Sequence, residues 1–160
     1  MSSPILVNTP VKFFVNKLRV SLNAPIKGGD HDLAADFQRN NIWSDELRCR
    51  FIEEMFVFGQ NLYPLDYNTV KTPILHYEAM NGKQRSLALW ELVKNNMVFQ
   101  NTFVCEDEDM SQIFKEINGM RFTEWPLKHQ EHFLNLDIQI YNYTLDPNMR
   151  SQFIESVNSF

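Results

Sequence analysis

Residues Tyr77–Leu92 read YEAMNGKQRSLALWEL, a polar turn set between two apolar segments. Ile74–Met80 is a strand candidate, with Pro73 confined to its beginning, where a missing backbone N–H is tolerated. Asn81-Gly82 is the strongest short signal for a tight hairpin, yet no second strand follows it. Ser86–Val93 instead presents Leu87, Leu89, Trp90 and Val93 at helical spacing. The turn therefore hands a strand over to a helix, and that handover sets the fold class.

Outward from this unit, strand and helix patterns keep interleaving. Upstream, Ser44 is a good N-cap, and Asp45 and Glu46 in the first turn complement the helix dipole. Leu47, Phe51, Met55 and Phe58 then recur as an apolar face, and Gly59 is a natural stop. Val11–Ser21 and Leu62–Tyr67 are strand candidates, with Gly28 and Gly29 marking a mobile connection between them. Downstream, Met97–Cys105 suggests a strand, Met110–Asn118 a helix, and Trp125–Leu134 a helix with Pro126 in its first turn. Leu136–Thr144, LDIQIYNYT, alternates cleanly and is the best strand in the chain. Asp146-Pro147 opens a last helix carrying Phe153, Ile154 and Val157. The expectation is one α/β or α+β domain over residues 1–160, with a mixed sheet flanked by helices. Its core spans about 33–160, preceded by an N-terminal strand and the mobile connection.

The chain's net charge of −5 argues against a surface coated in basic residues, while leaving room for a local basic cleft. Two cysteines, Cys49 and Cys105, are too few for a disulfide framework or a zinc site, and point to a reducing compartment. No signal-peptide pattern and no apolar run of bilayer length is present, so no membrane partner is expected. The expected location is cytoplasmic, or nuclear for a eukaryotic host or its virus. The apolar helix face that runs out at Phe160 suggests a trimmed chain or a domain completed by something else.

The chemistry of the turn is that of an anion seat. A helix N-terminus offers unpaired N–H groups and partial positive charge. Gly82 lets a backbone approach a ligand closely, and Lys83 and Arg85 add two cations within three residues. Gln84 both donates and accepts, which suits a water or a base edge. The plainer reading is an Asn-Gly turn before an ordinary helix with basic exposed residues. The motif lacks the length and glycine count of a P-loop.

FQRNNIWSDELRCRFIEEM (37–55) followed by YEAMNGKQRSLALWEL resembles the N-terminal domain of GmrSD-type restriction endonucleases, within the wider ParB/sulfiredoxin-like fold group. Phe37-Gln38-Arg39 and Trp43 match the family's aromatic-Gln-Arg segment and its Trp ahead of a helix. Asn81-Gly82-Lys83-Gln84-Arg85 matches its Asp-Gly-Gln-Gln-Arg loop at three of five positions. LDIQIYNYT and the helix ending FIESVN are similar to its closing strand and Phe-x-x-x-Asn segment. The resemblance implies a domain that binds an NTP, with Mg2+ as a candidate metal, and contacts DNA in restriction or phage-defence systems. It assigns Gln84 and Arg85 as catalytic candidates. Phosphate binding falls to Asn81, Gly82, Lys83, Gln84 and Arg85, joined by Arg39. Phe37, Gln38, Arg39 and Trp43 would meet DNA. It also implies a nuclease domain or subunit as a partner, since no such segment lies in these residues.

Two departures weigh against turnover. The family's Asp is Asn81, which cannot act as a base or as an anionic magnesium ligand. Its first Gln is Lys83, which attracts phosphate but does not position a water in the same way. Glu78 is an uncertain substitute, because an unbroken strand points it away from Asn81. A non-catalytic binding module that serves as sensor, decoy or regulatory subunit is therefore the rival expectation. Sulfiredoxin-like thiol chemistry is disfavoured, since the turn carries no cysteine. His129 and His132 at i, i+3 are read as a solvated polar face, and Glu106–Asp109 as a solvated loop. No metal-ligand set is assigned.

Overall fold

In the computed structural model, residues 3–20, 30–33 and 42–158 are described. Strand β6 (Asp137–Tyr143) has the alternation read from its sequence, with Ile138 and Ile140 buried. It lies inside the sheet. β1 (Ile5–Pro10) pairs antiparallel with one of its edges and β4 (Leu65–Val70) parallel with the other. Beyond β4 follow β5 (His76–Asn81), antiparallel, then β3 (Asp30–Asp32) and β2 (Leu18–Arg19), both parallel. The result is a six-stranded mixed sheet in the order β1-β6-β4-β5-β3-β2. The expected α+β class with a mixed sheet and flanking helices is what the chain forms.

Among the described residues six α-helices accompany the sheet. Helix α2 (Asp45–Phe58) starts where expected: Ser44 accepts the Leu47 N–H, and Gly59 leaves the helix at φ 74°. That left-handed conformation carries little steric cost for glycine. Helix α3 (Lys83–Val93) follows β5, and α4 (Glu108–Ile117) is capped by Asp107, a member of the acidic run. Helix α5 (Leu127–Leu134) begins after Pro126, and α6 (Pro147–Asn158) is capped by Asp146 through the Met149 N–H. Phe51, Ile52 and Met55 of α2 and Ala88, Leu89 and Leu92 of α3 join Leu65, Tyr67, Ile138 and Ile140 of the sheet in one core. On the opposite face α6 closes down through Phe153 on Tyr143, rings 5.0 Å apart, and Arg150 on Glu78, 2.9 Å.

Three local expectations give way to tertiary structure. Val11–Ser21 is a strand only at Leu18–Arg19, β2: Val11–Phe14 form a short helix, α1, Val15–Lys17 a 3-10 turn, and Ser21 lies outside the described residues. The β-branched residues there satisfy packing, since Val11, Phe14 and Val15 are all buried and the Val11 N–H donates to the Leu136 carbonyl. Met97–Cys105 is not a strand either. Its backbone is satisfied one group at a time, by Met120, Asn118, Glu53 and the Cys49 sulfur. Leu47 and Phe58, expected on the buried side of α2, are exposed.

The predicted solvated face at His129 is also corrected. His129 is buried and bonds the Glu116 carboxylate at 2.6 Å, which holds that carboxyl below its usual range. His132 packs edge-on to Phe56.

Candidate functional site

Strand β5 delivers Asn81 to the end of the sheet through a break in the ladder. Between Asp66 and Tyr67 the register shifts by one residue, so that Asn81, not Met80, opposes Asp66. A shift of this kind re-aims side chains. Here it brings the Asn81 amide onto the Asp66 carboxylate, Nδ2 to Oδ2 3.1 Å. The strict alternation that would have set Glu78 and Asn81 on opposite faces no longer holds. Glu78 is nonetheless engaged elsewhere, by Arg150 at 2.9 Å and His76 at 3.4 Å.

Gly82 then turns the chain at φ 106° and serves as N-cap of α3 without a side-chain cap. A Cβ at this position would meet the Leu65 side chain at 2.5 Å, so the turn is pressed against β4. The two cations that follow part company. Lys83 is partly exposed and makes no ion pair with a described residue. Arg85 folds inward, and its guanidinium donates to the Tyr63 carbonyl. Burial pushes Arg85 below its usual range, against the pull of the Asp66 and Glu54 charges.

Gln84 faces the other way. Its Oε1 accepts the Trp43 N–H at 3.1 Å, tying the segment ahead of α2 to the first turn of α3. Trp43 is partly buried, with its ring edge-on to Phe51 at 6.3 Å. Thus Trp43 and the Asn81–Arg85 turn come together. Phe37, Gln38 and Arg39 lie outside the described residues, as does the Gly28-Gly29 connection. Beneath the turn, Ser86 is buried with its hydroxyl 2.8 Å from that of Tyr67.

Two residues that sequence reasoning missed complete the cluster. Asp66 is buried, and burial pushes its carboxyl above the ordinary range, against hydrogen bonds from Asn81 and Tyr143 and the charge of Arg85. Tyr143 is pushed up to about 12, by burial first and then by the Asp66 charge. Nothing local marked Asp66: it stands in a strand, and its partners lie on β5, β6 and α3.

The site thus couples a buried carboxyl, a bound guanidinium and a lysine without an ion pair among the described residues, at a helix start. It can attract an anion through Lys83 and the first-turn amides of α3. It can exchange a proton at Asp66, whose burial favours the neutral form. Among the described residues no group of three or more His, Cys, Asp or Glu side chains could hold a metal ion. No described helix is long and apolar enough to cross a membrane.

The raised Asp66 carboxyl predicts a pH dependence. A carboxyl whose pKa is higher in the folded than in the unfolded chain stabilises the fold fully below its unfolded value, near 3.8 here. That contribution is lost as pH rises through the folded value. Glu53, raised chiefly by burial, acts in the same direction and forms a common background. Asp66→Asn removes one of these titrations, so its stability relative to the parent should climb with pH from about 4 upward and then level off. Urea unfolding across this range measures it. Parallel curves for parent and variant would rule out the shift.

Comparison of the chain with protein-family models, with curated proteins and with solved structures finds no match.

Proposed function

We propose that this chain is a nucleotide-binding and DNA-contacting module of the kind found in modification-dependent restriction or phage defence, a divergent relative of the GmrSD-type N-terminal domain with its ParB/sulfiredoxin-like fold. The observation that carries this reading is the bond from the Trp43 N–H to Gln84. It joins the two motifs on which the resemblance rests, although they stand 41 residues apart. In this reading Lys83 and the amides of Lys83, Gln84 and Arg85 receive phosphate oxygens, and residues 37–43 meet DNA. Mg2+ bound with a nucleotide commonly needs one or two protein carboxylates, and Asp66 is the carboxylate beside the turn. Any cleavage of DNA would fall to a nuclease domain or subunit outside this chain.

A second reading is favoured by a specific observation. Arg85 is held by the Tyr63 carbonyl and Asn81 by Asp66, so part of the seat is filled by the protein's own groups. A binding module without turnover fits that arrangement.

Thermal unfolding with each NTP and Mg2+, paired with phosphate release, separates the two. A nucleotide at a hundredfold excess over its dissociation constant stabilises by about 2.7 kcal/mol. That stabilisation should vanish in Lys83→Ala, a partly exposed position where the fold is not at risk. Phosphate release abolished by Arg85→Ala supports hydrolysis, and stabilisation without release supports the binding module. Absence of both rejects nucleotides. DNA retention at low salt, lost in Gln38→Ala or Arg39→Ala, tests the first motif separately.

A further inference from the structure

A second surface lies where the end of α2 meets the loop ahead of α4. Val57, Phe58, Leu62, Phe103 and Val104 are all exposed there, Val104 to 91%. Contiguous apolar side chains of this kind on a folded surface mark interaction sites. Val57, Phe58, Leu62 and Phe103 border a groove of about 380 Å3 that Arg50 and Glu53 also line, and Val104 follows Phe103 at its side. Phe103 also lines a second cavity of about 210 Å3, with Val104, Cys105 and Lys115.

The loop that presents Phe103 and Val104 is anchored. Glu53 accepts hydrogen bonds from the Thr102 N–H, at 2.8 Å, and from the Thr102 hydroxyl. The Gln100 N–H points at the Cys49 sulfur, 3.4 Å, and the Phe103 ring stands edge-on to Phe114 at 5.9 Å. The groove is therefore formed before anything enters it, which lowers the ordering cost of binding.

Charge identifies what would enter. Glu106, Asp107, Glu108 and Asp109 follow Cys105 directly and are exposed, and the partly buried Glu54 lies along the groove, whereas Glu53 is buried and taken up by Thr102. Against these five acids stand Lys115 and Arg50, and Arg50 is already paired with Glu46 at 3.2 Å. An apolar floor with an acidic margin complements a segment that alternates apolar anchors with lysine or arginine. We propose that this face docks such a segment of a partner protein, with its apolar side chains in the groove and its basic ones against residues 106–109.

The test uses a fluorescent 14-residue amphipathic peptide of Leu and Lys, with Leu/Glu and Ser/Lys peptides as controls, and reads anisotropy against the full chain. The Leu/Lys peptide should bind, and weaken as salt is raised. Its affinity should fall by about tenfold or more in the Phe58→Ser/Val104→Ser double variant, as expected for loss of anchoring contacts. Both replaced side chains are exposed, and circular dichroism verifies the fold. Neither control should bind. Equal binding of the Ser/Lys peptide, or undiminished binding by the variant, would overturn the proposal. So would self-association in sedimentation that disappears in the double variant, which would assign the face to a second copy of this chain.

Discussion

Phe56→Ala is expected to remove about 3–5 kcal/mol of stability, the range for deleting a buried aromatic ring. The side chain is 2% exposed and sits among Phe133 at 5.3 Å, His132 at 5.4 Å, and Phe114 and Trp125 both at 5.9 Å. These neighbours come from α4, α5 and the turn before α5, so no single side chain can swing in to fill the void. Partial collapse would require several elements to shift together, and the cavity should largely persist. A domain of this size has about 5–15 kcal/mol in total, so the loss is a large fraction of its stability. At about 2–4 °C per kcal/mol the melting temperature should fall by roughly 6–20 °C. Urea unfolding followed by tryptophan fluorescence reads it, with Trp125 among the three reporters. A cost under about 1 kcal/mol would mean that this aromatic cluster is not the packed centre described.

Gly82→Ala should be nearly as damaging, for a different reason. At φ 106° an L-residue is strained, and the added methyl would stand 2.5 Å from the Leu65 side chain and 3.2 Å from Arg85. Left-handed strain of about 1–2 kcal/mol and overpacking of about 1–3 kcal/mol act together. Leu65 is fully buried, so it has little room to retreat. The damage should also be local, because the turn sets both Asn81 on Asp66 and the start of α3. We expect a melting temperature lower by several degrees and, on the proposed function, loss of any stabilisation by nucleotide even below the transition. By contrast Gly59→Ala, also at positive φ but with nothing within 4 Å, carries the conformational strain alone. The two variants should therefore differ by the overpacking term. Equal losses would show that Leu65 does not press on the turn.

Much of the architecture was legible because its signals are local. Ser44 and Gly59 bound α2, Asp146-Pro147 opens α6, and the alternation in β6 declares a half-buried strand. Each depends on neighbours within a turn or two of chain. The strand-to-helix handover at Asn81–Lys83 was legible for the same reason, since hydrophobic period switches there from two to nearly four. Where local preference and packing disagreed, packing won. Val11–Phe14 is β-branched and aromatic, yet it coils to bury Val11 and Phe14 together. His129 read as a surface residue because its partner, Glu116, belongs to another helix.

By itself, then, the sequence determined the class of fold, the bounds of α2, the start of α6 and the basic turn at Asn81–Arg85, all governed by short-range spacing and capping. The tertiary structure alone decided the strand order, the one-residue register shift that sets Asn81 against Asp66, and the inward fold of Arg85 onto Tyr63. Those outcomes depend on which distant segments meet and on how burial shifts the balance between charged and neutral groups, and neither is written in the spacing of neighbouring residues.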